Sequence, residues 1–196
     1  RLLRPAAVVA LLVLGAISLP FAIPVLPVDR FVVYARALGQ APRAEENHEL
    51  AELPQYYADM FGWEQFAAQA VEIWNRLPEH ERERAVIYVR NYGEAAAIDF
   101  LGRGHGLPPV LCAHNSYWLW GPGEVDMEVA IVLGGARSEE ENRADLEGPG
   151  RFGRCELAGV TDCRWCMPYE KGRQWFVCRD PEFTFAEIWE GERHFL

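Results

Sequence analysis

The sequence predicts an α/β domain: a mainly parallel sheet flanked by helices, with an antiparallel cysteine-bearing hairpin at its C-terminal end, preceded by one transmembrane helix. Three observations predict it. Short, continuously apolar runs alternate with helix-period segments, which is how strands buried on both faces of a parallel sheet read. An apolar stretch occupies residues 1–28, charged only at Arg1 and Arg4. Four of the five cysteines crowd into the last fifth of the chain.

Between Arg4 and Asp29 no residue is charged. At ~1.5 Å rise per residue this run crosses a hydrocarbon core of roughly 30 Å. Residues 1–28 are therefore expected to form a transmembrane helix, with Pro20 and Pro24 tolerated where neighbours satisfy the freed carbonyls. Two readings compete with it: a secretory signal peptide cleaved near Ala16, Ile17 and Ser18, and a buried core helix. Arginines flank both ends, so charge does not fix the orientation. The leading Arg in place of Met implies a processed chain or a piece of a larger protein.

Residues 29–61 read as a connector, acidic in its middle (AEENHELAE) and aromatic at Tyr56, Tyr57 and Phe61. Residues 62–196 read as the soluble domain. Trp63, Phe66, Ala67, Ala70, Val71, Trp74 and Leu77 recur at three- and four-residue steps, an amphipathic helix stopped by Pro78. AVIYV at 85–89, PVLCA at 109–113 and EVAIVL at 128–133 read as buried strands, the last stopped by Gly134 and Gly135. Residues 94–101 read as a helix closed by Gly102, and 138–146 as an acidic helix with Ser138 at its cap. Residues 156–160 and 174–178 read as an antiparallel pair, followed by an aromatic tail around Trp189 and Phe195.

Composition narrows the function classes. Half of the 196 residues are apolar, enough to bury a core against the entropy of ordering the chain, which excludes a disordered protein. Lys and Arg number 19 against 29 Asp and Glu, a net charge of -10. A nucleic-acid partner is excluded on that balance, because no basic cluster is present to displace phosphate counterions.

Cys155, Cys163, Cys166 and Cys178 can be disulfides or a tetrahedral zinc site. Delivery outside the cytoplasm favours disulfides, with closure of Cys166 onto Cys178 expected because both flank the hairpin. A redox centre at Cys163 and Cys166 needs a helix N-terminus to stabilise the first thiolate, and Met167, Pro168 and Tyr169 offer none. Cys112 reads as a small core residue.

Two unusual stretches each follow a predicted parallel strand: Asn91 to Glu94, and His114 to Pro122 with Asn115, Trp118 and Trp120. Loops leaving the carboxyl ends of parallel strands share one edge, where ligands bind in open α/β sheets. Carboxylate, amide and imidazole groups there suit sugar hydroxyls, and the indoles suit a ring face. Asn91, Glu94, His114, Asn115, Trp118 and Trp120 are thus the expected binding residues. The opposing reading gives them structural duties: turn caps for the asparagines, core for the indoles, a buried backbone partner for His114. No G-x-G-x-x-G, G-x-S-x-G, P-loop or H-E-x-x-H motif is present. A secreted hydrolase using Glu94 with Asp99 is disfavoured, since five helical residues turn these side chains apart.

DMFGW at 59–63, NYGEAAAIDF at 91–100, HNSYWLWGPG at 114–123 and CMPYE at 166–170 resemble the C-terminal soluble domain of bacterial glycosyltransferase family 39 membrane proteins, relatives of the protein O-mannosyltransferases. The resemblance spans roughly residues 50–196, and the apolar run resembles the last membrane helix of such proteins. It implies a polytopic enzyme of the cytoplasmic membrane that transfers a sugar from a polyprenyl-phosphate donor to an acceptor at the outer face. It also implies that the catalytic carboxylates, with a divalent metal, lie in an early loop outside this chain, which itself holds no cofactor. Membrane lipid and the lipid-linked sugar donor are the implied partners. A membrane-anchored, non-catalytic module that binds glycan or protein is the alternative.

Overall fold

The structure, a computed structural model, describes residues 3–40 and 52–195. Most of the acidic stretch of the expected connector lies outside the described residues, as do Arg1 and Leu2. The first described element is α1 (Leu3–Ala22), uncharged after Arg4 and exposed along almost its whole length. Next come α2 (Val28–Ala37) and the short α3 (Gln55–Ala58), so the expected connector contains two helices. Then follow α4 (Trp63–Arg76), α5 (Glu79–Arg82), β1 (Ala85–Tyr88), α6 (Tyr92–Leu101), β2 (Val110–Leu111), α7 (Ser116–Trp120) and β3 (Val129–Leu133). The remainder is α8 (Glu139–Leu146), β4 (Phe152–Thr161), a 3-10 turn (Pro168–Glu170), β5 (Arg173–Pro181) and α9 (Phe185–Glu192).

Among the described residues the strands form one five-stranded sheet in the order β2-β1-β3-β5-β4. β1 runs parallel to both β2 and β3, with Ile87 opposite Val110 and Ile131. β5 is antiparallel to β3 on one side and to β4 on the other. The sheet is therefore mixed, which corrects the mainly parallel expectation. The antiparallel pairing of 156–160 with 174–178 is as expected, but β5 also lies beside β3 in the same sheet, where Trp175, Phe176, Val177 and Cys178 are all buried because helices cover both faces. A continuously apolar strand reports two covered faces and says nothing of direction.

Alternate residues of each strand feed two cores. Ile87, Val89, Ile131, Leu133, Trp175 and Val177 meet the apolar stripe of α4 and the inner face of α6. Val86, Tyr88, Ala130, Val132, Phe176 and Cys178 meet Leu146 of α8 and Phe185 and Trp189 of α9. Cys178 lies opposite Cys155 in the β4–β5 register, and these two form a disulfide. That corrects the expected Cys166–Cys178 closure. Cys166 sits in the connection beyond the paired strands and remains a free buried thiol with Cys163 and Cys112.

A third cluster joins α1 to the domain. Phe31, Val32 and Ala35 of α2, Tyr57 and Ala58 of α3, and Met167 are buried together, with Phe21 and Leu26 packed against them. The Phe31 and Tyr57 rings stack at 4.6 Å. Pro24 has no N–H to close onto the carbonyl of Pro20, and the Tyr57 hydroxyl donates to that carbonyl at 3.5 Å. Tyr56 donates to Phe21 O at 3.1 Å and Tyr34 to Ile17 O at 2.7 Å. The proline that frees a carbonyl thus creates the acceptor by which the domain holds the end of the apolar helix.

Candidate functional site

The chain leaves β1 at Arg90 and turns straight into α6. Asn91 caps that helix: its Oδ1 accepts from the Gly93 N–H at 2.7 Å, while Glu94 Oε2 accepts from the Asn91 N–H at 3.2 Å. This reciprocal box satisfies donors that the first helical turn leaves open. It also draws the Glu94 side chain inward, where Oε1 meets Arg173 Nη1 of β5 at 2.8 Å, the two side chains 4 % and 12 % exposed. Burial pushes the Glu94 carboxyl up, and Arg173 and the backbone N–H groups oppose that shift. Arg173 Nε also donates to Gly134 O at 2.6 Å, tying the end of β3 into the same point.

His114 follows β2 and is buried. Its Nδ1 accepts from the Tyr92 N–H at 3.4 Å, which places the ring proton on Nε2, and Nε2 is buried without a partner. The ring stacks on His194 at 4.5 Å and meets Tyr92 edge-on at 5.0 Å. Burial first, then the neighbouring His194, lowers the His114 pKa, so the neutral form is favoured. Asn115 takes a left-handed φ of 51° and gives its N–H to His194 O at 3.1 Å. Trp118 and Trp189 exchange indole-to-carbonyl hydrogen bonds at 3.2 and 3.0 Å, and Arg193 lies over the Trp118 ring. Trp120 points outward, 70 % exposed, against the Tyr117 ring.

The expected binding residues therefore divide. Asn91 and His114 meet through Tyr92, and His114, Asn115 and Trp118 engage the C-terminal helix and tail. Glu94 turns toward Arg173, and Trp120 faces solvent. Arg173, Glu170 and His194 are the partners that sequence reasoning missed. Only Glu170 carried a signal, inside the CMPYE segment; the others reach the site through tertiary folding.

Glu170 is buried in the 3-10 turn, with Oε2 accepting from the Met167 N–H at 3.3 Å. Burial, with the negative charges of Asp59 and Glu94 adding to it, pushes its carboxyl up to about 7, while Met167 and Arg173 pull the other way. Two buried carboxyls thus share the field of one guanidinium. On the opposite sheet face a cleft of about 330 Å³ is lined by Tyr88, Arg90, Asp145, Arg151, Phe183 and Glu192, among others. There the Tyr88 hydroxyl donates to Glu192 at 2.5 Å. Among the described residues no group of three or more His, Cys, Asp or Glu side chains is arranged to hold a metal ion. No protein-family model, curated protein or solved structure matches the chain.

Proposed function

We propose that this chain is the membrane-proximal, extracytoplasmic end of a polytopic glycosyltransferase of the family 39 type. Such an enzyme moves a sugar from a polyprenyl-phosphate donor to an acceptor at the outer face of the cytoplasmic membrane. The sequence resemblance supports the sugar-transfer part of this reading, and one observation carries the membrane part: α1 is uncovered through Leu11, Leu12, Leu14 and Leu19, while its C-terminal end, from Ile17 to Phe21, is held by three tyrosine hydroxyls. In water that apolar surface would cost about 25 cal/mol per Å². Lipid or neighbouring membrane helices remove the cost.

The grip also ties the end of α1 into the interior of the domain. Met167 belongs to the cluster beneath α1, and the turn from Met167 to Glu170 joins that cluster to the Glu94–Arg173 pair. Both Glu94 oxygens are engaged, by Arg173 and by the helix cap, so this carboxylate is a poor nucleophile. Placement and recognition are the chain's part, and the carboxylates and divalent metal of sugar transfer belong to the rest of the enzyme. The exposed Leu119 and Trp120 favour a second reading, a membrane-anchored module that binds glycan or protein without catalysis.

The test is donor turnover. Membranes bearing the full-length protein are expected to release polyprenyl phosphate from a polyprenyl-phosphate hexose, and membranes bearing residues 1–196 alone are not. Turnover by residues 1–196 alone contradicts the division of labour; donor binding with no turnover by the full-length protein favours the second reading.

A further inference from the structure

Cys163 and Cys166 are free thiols, 6 % and 0 % exposed, in the connection between β4 and β5. Cys163 Sγ accepts from the Cys166 N–H at 3.1 Å, and the Cys166 thiol donates to Cys163 O at 3.1 Å. Although no helix follows Cys166 in sequence, the fold brings one from elsewhere. Gly62 caps the 14-residue α4, and a Cβ placed on it would lie 3.6 Å from Cys163 Sγ and 3.5 Å from Cys166 Cβ. The N-terminal, positive end of a helix thus lies beside the first sulfur. A surface cleft of about 470 Å³, lined by Phe61, Trp63, Arg164 and Trp165 among others, reaches Cys163, whereas Cys166 does not line it. Glu170 follows in the next turn, tied to the N–H of Met167, with its charge felt at the Cys166 thiol.

We propose that Cys163 and Cys166 form a thiol–disulfide exchange site, with Glu170 as proton acceptor for Cys166 and a disulfide with an accessible sulfur as the substrate class. The accessible sulfur attacks and the buried one resolves. The Cys163 thiolate attacks one sulfur of R–S–S–R′, making the Cys163–S–S–R mixed disulfide and expelling R′–S⁻, which takes a proton from water. Glu170 then removes the Cys166 proton. The Cys166 thiolate attacks Cys163 Sγ, the Cys163–Cys166 bond forms, and R–S⁻ leaves and is reprotonated from the Glu170 carboxyl. Two electrons pass from the cysteine pair to the substrate; one disulfide is consumed and one is made.

The groups around Glu170 suit this duty. Asp59 and Glu94 bring negative charge toward it, Arg173 brings positive charge, and burial favours its neutral form. Burial holds the Cys166 thiol well above the ordinary range, and its hydrogen bond to Cys163 adds to that, so it needs a base to react. Cys155–Cys178 lies elsewhere, buried between two sheet strands, and takes no part.

The experiment uses the full chain in detergent micelles, exposed to glutathione disulfide, quenched with acid and mapped by mass spectrometry. Cys163 is expected to react first, and a Cys163–Cys166 linkage is expected to follow with Cys112 still a thiol. Cys166→Ala should accumulate glutathione on Cys163. Glu170→Gln should slow resolution about a hundredfold near neutral pH and flatten its dependence between about pH 5.5 and 8.5, with the first attack unchanged. A merely structural carboxyl would not split the two steps. A disulfide-bonded peptide run in parallel separates a protein substrate from a small-molecule one: reduction of either supports the site, and reduction of neither overturns it. Faster alkylation of Cys166 than of Cys163 in the native wild-type chain, or a linkage formed only after denaturation, also overturns it.

Discussion

Glu94 Oε1 and Arg173 Nη1 meet at 2.8 Å between the first turn of α6 and the first residue of β5, both side chains nearly closed off from water. The other Glu94 oxygen completes the cap of α6, and Arg173 reaches on to Gly134 at the end of β3. One carboxylate therefore starts a helix and neutralises the guanidinium that joins it to two strands.

Glu94→Ala is expected to destabilise the domain by about 3–5 kcal/mol, because it strands a buried guanidinium and opens the cap. Glu94→Gln, which can still close the cap, should cost less. Thermal unfolding followed by circular dichroism measures both. A loss under about 1 kcal/mol for the Ala variant would place the pair among surface ion pairs.

Glu170 makes stability fall as pH rises. Its folded carboxyl is raised from 4.5 to about 7, so the folded state holds a proton that the unfolded state has released. The stabilisation is full below about pH 4.5 and is lost as pH climbs through about 7, a change of about 3 kcal/mol. Urea unfolding between those pH values should show the decline, and Glu170→Gln should remove most of it. An unchanged slope in the variant would assign the decline to other groups.

Trp118 and Trp120 should respond oppositely. Trp118→Ala breaks the reciprocal bonds with Trp189 and should cost about 2 kcal/mol or more. Trp120→Ala removes an indole that is 70 % exposed and should leave the melting temperature within the range of about 0.5 kcal/mol. Calorimetry with a polyprenyl-phosphate hexose in micelles is expected to show weaker binding for the Trp120 variant. Equal binding would confine the indole to packing on Tyr117.

Local signals were legible where one element makes its own case. The stripe from Trp63 to Trp74 is α4, the runs at 85–89 and 128–133 contain β1 and β3, and Ser138 caps α8 as read. The parallel trio and the antiparallel pairing of 156–160 with 174–178 were legible, but that β5 would join β3 in one sheet was not, because nothing local to either strand announces the other. Partners distant in sequence were not legible either: nothing local to His114 announces His194, and nothing near Glu94 announces Arg173. The helix that faces Cys163 escaped for the same reason, since α4 lies far before it in the chain.

The proposed function requires that α1 lie in a membrane with the α/β domain on its outer face. Alkaline carbonate extraction of cell membranes, together with protease added to the outside of intact spheroplasts, measures both. The chain is expected to stay in the carbonate pellet, and the external protease is expected to remove the domain and leave a fragment carrying α1. Recovery of the uncleaved chain in the carbonate supernatant, or a domain protected until the spheroplasts are lysed, would contradict the claim.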